Sequence, residues 1–323
     1  MKVVITGGGG FLGRKLAERL LQRGELTGSS GPEQIEEIVL FDQAAPPDGA
    51  FDDARIRIVG GDILDPATLQ HVIGPGIDTV FHLAAVVSAG AEADFDLGYR
   101  VNLDGTRAVL EACRALGTCP RVLFASSIAV YGGGLPDCVV DDTPLRPELS
   151  YGAQKTIGEL LIADYSRKGY IDGRAMRLPT IVVRPGKPNK AASGFASGII
   201  REPLNGIDFA CPVSPESCMA IMSPRRVIDA FVHMHELDAE ALQSNRRLLL
   251  PGIRVSMAEA AAALERVAGD RPRGEISFEI DAQIQAIVDG WPKETRSDRA
   301  QALGFRPDAS MDDVIRGYIE DEL

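Results

Sequence analysis

The chain has 323 residues, 45% of them hydrophobic, which is enough for a full core and for one large unit plus a smaller lobe. Its 34 Lys plus Arg against 46 Asp plus Glu leave a net charge of −12 and a pI near 4.9, a field that repels nucleic acid and anionic membranes and excludes both as expected partners. No apolar run reaches the ~18 residues of a membrane span, the first residues lack a signal-peptide pattern, and five cysteines without a CxxC pair fit reduced thiols, so a cytoplasmic location is expected.

In chain order, residues 3–6 form a β-branched run, followed by Gly7-Gly8-Gly9-Gly10 and an amphipathic stretch over 11–22 carrying Leu12, Leu16, Leu20 and Leu21. That reads as strand, tight turn and helix. A polar loop is predicted over 24–32, then a strand over 38–41 that stops at Asp42. Further strands are predicted at 55–59, 79–82, 121–125 and 174–178, separated by helices at 66–72, 94–116 and 151–167. This alternation predicts a doubly wound parallel sheet with helices on both faces. Beyond about residue 180, Pro185, Pro188, Pro203, Pro212 and Pro215 break the pattern. The expected organisation is a dinucleotide-binding domain over 1–180, with a later segment at about 220–250 packing back on it, and a smaller C-terminal α/β substrate lobe over 181–323.

The first loop carries the clearest chemistry. Gly7 permits the tight turn, Gly10 lets backbone amides approach a pyrophosphate, and Gly13 allows close helix packing, so the loop with Phe11 and Leu12 is expected to bind a dinucleotide at the helix N-terminus. Asp42 is placed to accept hydrogen bonds from the adenosine ribose and to repel a 2′-phosphate, which predicts NAD rather than NADP. Asp62 and Ile63 end the third strand, where they would meet the adenine, a turn aspartate being the alternative. Ala84 and Ala85 are small enough for backbone to lie against the cofactor. The histidines His71, His82, His233 and His235 are scattered and show no ligand spacing, so no metal is expected.

Tyr151 and Lys155 lie one turn apart at the start of a predicted helix. An unperturbed phenol, with a pKa of about 10, is too weakly acidic to serve as a base at neutral pH, and a neighbouring ammonium lowers it. Lys155 is expected to supply that charge.

Taken together, the Gly7, Gly10, Gly13 loop, Asp62-Ile63, His82 to Ala85, Asn102, Ser126-Ser127-Ile128-Ala129-Val130-Tyr131-Gly132, Tyr151 to Lys155 and the closing Ala302-Leu303-Gly304-Phe305-Arg306-Pro307 resemble the extended short-chain dehydrogenase/reductase family, which includes nucleotide-sugar epimerases and dehydratases. The resemblance spans essentially the whole chain. It implies a Rossmann-type fold, NAD as cofactor, Ser127, Tyr151 and Lys155 as the catalytic set, and a homodimer through the helices at 94–116 and 151–167. Ser127 would hold the substrate oxygen; Ser126 would contact substrate or satisfy the loop backbone. Tyr151 would take the alcohol proton, and Lys155 would also bind the nicotinamide ribose. Asn102 is expected near the cofactor, where it would hydrogen-bond the active-site backbone or relay a water, a plain surface Asn being the alternative, with Leu178 and Thr180 on the strand that reaches the nicotinamide side.

Residues 177–198 begin as a strand and continue into a loop rich in cations, amides and small side chains, including Lys187 and Lys190. Such a loop suits a small polyhydroxylated anion. Continuing to Gly206, and with His82 to Ser88 and Gly90-Ala91-Glu92, it resembles the branch of the family that oxidises the four-carbon sugar acid D-erythronate at C2 with NAD. Ser88, Arg184, Asn189 and Ser193 are the expected substrate contacts; Arg225 reaches the same pocket or ties the lobes together. The alternatives are a nucleotide-sugar epimerase or dehydratase and a non-catalytic NAD-sensing protein.

Overall fold

A computed structural model describes residues 1–28, 31–47, 49–186 and 193–323. Seven parallel strands form the central sheet, in the spatial order Arg247–Leu249, Asp172–Leu178, Arg121–Ser127, Thr79–His82, Lys2–Thr6, Glu37–Asp42 and Ile56–Gly60. The order reverses beside Lys2–Thr6, which pairs with both Glu37–Asp42 and Thr79–His82. That reversal opens a crevice at the carboxyl ends of the strands, where such sheets bind ligands. Val3, Val4 and Ile5 are fully buried, as a strand covered on both faces requires. Each such side chain contributes about 1.5–3 kcal/mol of burial.

The predicted strands and the 66–72 helix are present with shifts of a residue or two at their ends. Two expectations differ. The stretch predicted as a polar loop over 24–32 includes the strands Glu25–Gly28 and Gly31–Gln34, which pair antiparallel, because Leu26 buries completely and the Thr27 amide donates to Glu236. The helix predicted over 94–116 runs from Phe95 to Leu116 but is not regular: Phe95–Gly98 passes into a π-helical stretch at Tyr99–Asp104 before Gly105–Leu116. The wider turn carries Asn102 inward, where it is buried.

After Leu178 the chain builds a second layer. Thr180–Ile181 pairs parallel with Cys218–Met222, which pairs antiparallel with Ile253–Ser256. Its core includes Phe195, Ile199, Ile200, Leu264 and Tyr318. Between these strands the chain returns to the large sheet: the Pro224–Glu236 helix packs on the Phe11–Arg23 helix, and Arg247–Leu249 adds the seventh strand. Arg225 pairs with Glu320 and Asp321 of the last helix, so of its two expected places it takes the ion pair and not the pocket.

Candidate active site

Two cavities meet at the carboxyl ends of the central strands. The larger, about 670 Å³, is lined by Gly7, Gly10, Phe11, Leu12, Gly13, Asp42, Asp62, Ile63, Ala84, Ala85, Lys155 and Leu178 among others. Gly7 adopts φ +74°, and a Cβ there would lie 2.8 Å from the Ala84 nitrogen, so the tight turn admits only glycine. A Cβ on Gly13 would lie 2.2 Å from the Gly7 oxygen. No side chain caps the Phe11–Arg23 helix at Gly10, which leaves its first amides directed at the crevice, the arrangement that suits a pyrophosphate. Asp42 accepts hydrogen bonds from the amides of Gly9 at 3.1 Å and Ala44 at 3.2 Å. Its carboxylate thereby closes the glycine loop while facing the cavity. The residues present therefore fit a dinucleotide.

The second cavity, about 330 Å³, includes Ser88, Ser126, Ser127, Thr180, Ser193 and Trp291 in its lining. Tyr151, Leu178 and Arg184 line both cavities. Thr180, expected at the cofactor, lines only the second cavity, because side chains alternate along the strand and Ile181, its neighbour, takes the place at the cofactor cavity. Asn189, expected at the substrate, lies outside the described residues, as do Lys187 and Lys190.

Tyr151 and Lys155 occupy the first turns of the Ser150–Arg167 helix. Gly152 brings that helix onto the 128–130 turn, since a Cβ there would lie 2.1 Å from the Ala129 oxygen. The Lys155 ammonium stands 5.5 Å from the Tyr151 ring centroid and 4.7 Å from that of Phe124. Burial pushes the Tyr151 phenol up to about 12, and the charge that opposes this is Arg184. Burial likewise pulls the Lys155 ammonium down to about 7, opposed by Glu159 one turn further along. Arg184 is thus a charge acting on the phenol that the sequence did not mark, while the Lys155 ammonium, expected in that role, stands over the same ring. No described carboxylate pairs with Arg184, whose backbone is held by Ser197 and Arg201. Burial lowers its own pKa, and Tyr151 acts in the opposite sense.

Ser127 begins the turn at 128–130, its hydroxyl accepting from the Ala129 amide at 3.1 Å. Ser126 lines both cavities, but its hydroxyl is committed to a buried partner. Its hydroxyl donates to Glu159 at 2.6 Å, and Glu159 is held by Arg177 at 2.9 and 2.7 Å, which also donates to the Tyr131 hydroxyl at 2.8 Å. Asn102, expected at the cofactor, does not line that cavity. Its amide accepts from the Val86 nitrogen at 2.7 Å and donates to the Val86 oxygen at 3.0 Å and to Gln154 at 2.7 Å. Both amide donors and the carbonyl oxygen are engaged one layer behind, tying the segment after Thr79–His82 to the Tyr151 helix.

Sequence reasoning missed Glu159, Arg177, Gln154, Glu148 and the 286–292 wall. The four-residue step from Lys155 to Glu159 was a usable signal. Nothing local marks Trp291 as a neighbour of Ser127.

A profile of the NAD dependent epimerase/dehydratase family matches residues 3–242. The chain is 56% identical to a D-erythronate dehydrogenase of Cupriavidus necator, covering 99% of this chain and 98% of that protein, and 43% identical to one of Haemophilus influenzae over the full length of both. Among solved structures, a nucleoside-diphosphate-sugar epimerase from Agrobacterium tumefaciens superposes with TM-score 0.93 at 40% identity, covering 100% of this chain and 94% of the other. An L-threonine dehydrogenase from Cupriavidus necator in its holo form gives 0.86 at 25%, over 99% of each chain. With the glycine cradle, the Tyr151 helix and full-length relatives in agreement, the chain belongs to the NAD dependent epimerase/dehydratase family, and its cofactor is NAD.

Proposed function

We propose that the chain is a D-erythronate dehydrogenase, oxidising the C2 hydroxyl to give 2-oxo-D-erythronate and NADH in sugar-acid catabolism. The observation that carries this reading is Tyr151 at the junction of the two cavities with Arg184 beside it, in a chain 56% identical to a protein of that name. NAD, when bound, supplies the hydride acceptor. Tyr151, as phenolate, takes the C2 hydroxyl proton, and Ser127 holds the substrate oxygen. Arg184 binds the carboxylate and favours the phenolate at the same time. Ser88 and Ser193 meet the remaining hydroxyls, Asn189 is taken as a further contact, and Lys155 holds the nicotinamide ribose. Asp42 selects NAD over NADP. The division at residue 180 into a cofactor domain and a substrate lobe, with 220–250 returning to the first, follows the chain's path between the two sheets.

The chain is also read as a cytoplasmic homodimer. Five unpaired cysteines suit a reducing compartment. No described helix is long and apolar enough to cross a membrane. Phe95, Leu97 and Leu160 expose apolar surface on the helices assigned to the dimer.

The A. tumefaciens structure raises the epimerase reading. A nucleotide diphosphate calls for several cations, and the second cavity has one among its described lining residues, Arg184. The test is NADH formation across four- to six-carbon aldonates, uronates and nucleotide sugars. NADH should accumulate with D-erythronate. Turnover of a nucleotide sugar without net NADH would select the epimerase, and NADH binding with no turnover of any alcohol would leave a sensor.

A further inference from the structure

The described lining of the second cavity contains two charged side chains, Arg184 and Glu148. Of the two, only Arg184 is shared with the cofactor cavity. It acts on the Tyr151 phenol, whereas Glu148 lies against Gly133 and Gly290 at the wall formed by 286–292. A Cβ on Gly133 would lie 3.5 Å from its Oε1, and one on Gly290 would lie 3.8 Å from its Oε2. Because both neighbours are glycine, the carboxylate is not shielded by side chains from either. No described residue donates a hydrogen bond to it, and the residue is exposed to the cavity mouth.

Resting on the sugar-acid reading of this site, we propose that Glu148 is a specificity-determining residue: it restricts the substrate to sugar acids whose far end is an uncharged hydroxyl and rejects those carrying a terminal phosphate. A carboxylate is an acceptor only. With the substrate's own carboxylate on Arg184, the chain extends toward Glu148, which accepts a hydrogen bond from a terminal hydroxyl. A phosphate there meets a like charge. At an exposed position solvent and salt screen the repulsion, so discrimination of about tenfold is expected and not an absolute block.

The test is calorimetric binding of D-erythronate and D-erythronate 4-phosphate to the NADH-loaded enzyme, as wild type and as Glu148→Gln, at low and high salt. The wild type should bind D-erythronate about tenfold more tightly than the phosphate. Glu148→Gln should tighten the phosphate about tenfold while weakening D-erythronate several-fold, and high salt should narrow the wild-type gap. Effects of opposite sign on two ligands cannot come from a damaged fold. Phosphate affinity unchanged by the substitution, or a wild type that prefers the phosphate, overturns the role of Glu148 and leaves the sugar-acid reading standing. Failure of D-erythronate to bind the wild type at all overturns the sugar-acid reading and this inference with it.

Discussion

The two cavities share Tyr151 but are built in different ways. The cofactor cavity is mostly backbone and strand ends: Gly7 to Gly13, Asp42, Asp62 and Ala84 each follow a strand of one sheet, so its shape is set by sheet geometry. The second cavity is assembled from side chains of segments far apart in the chain, near 88, 126–132, 148–151, 178–184 and 286–292, with Ser193. The first is therefore indifferent to what is oxidised, and the second is the wall a substrate would meet. Changes in the cofactor cavity should alter all substrates alike, and changes in the second should redistribute activity among them.

The largest effect is expected at the shared residue. Tyr151→Phe should lower kcat on every alcohol by about 10³ while NADH affinity, read by fluorescence titration, stays within a few-fold. Substantial residual turnover would remove the phenol from the reaction. Arg184→Gln should reduce kcat/KM for the acid about 10- to 100-fold through loss of a charge-assisted hydrogen bond. Because Arg184 opposes the rise of the Tyr151 pKa, its loss should also move the ascending limb of the pH–kcat/KM profile, where the phenol ionises, to higher pH, and Arg184→Lys should restore part of that shift. A profile indifferent to both substitutions would place the carboxylate elsewhere. Asp42→Ala should raise the relative use of NADP by about tenfold for all substrates equally. A change that depended on the substrate would break the distinction between the cavities.

Legibility follows the same division. The glycine loop, Asp42 and the Tyr151–Lys155 step are short-range patterns whose spacing is dictated by one turn or one helix, and the structure places every one of those residues at the cofactor cavity. Asn102 was recognisable as a motif residue but not in its place, because a π turn cannot be read from the apolar periodicity of 94–116. Glu148 and Trp291 carry no local signal: Glu148 sits in the irregular stretch before the Ser150–Arg167 helix, and Trp291 reaches the same cavity only through the path of the chain beyond Leu178. Arg184 as a charge acting on Tyr151 has no local signal, because it reaches the phenol from beyond the last rung of the large sheet.

The smallest effect is one of stability. His82 is fully buried between the hydroxyls of Thr6 at 2.7 Å and Thr106 at 2.9 Å. Burial, with Lys155 adding to it, brings its pKa from 6.5 down to about 3. The unfolded chain therefore binds the extra proton between these values. The associated stability is fully present above pH 6.5 and is lost as pH falls toward 3. Urea unfolding at pH 7 and pH 5 should show this loss, and His82→Asn should flatten that slope. An unchanged slope would mean that other groups govern acid unfolding.

Pro179 alone separates the last rung of the large sheet at Leu178 from the first rung of the small one at Thr180. The chain passes between the sheets again after Met222 and between Leu249 and Ile253. The two layers are thus stitched at three points without slack. For anyone building a chimaera, this means that the substrate half is not a detachable cassette. A graft from a relative would need three matched junctions, each inside or next to a ladder, so repainting the cavity wall residue by residue is the shorter route to a new sugar acid.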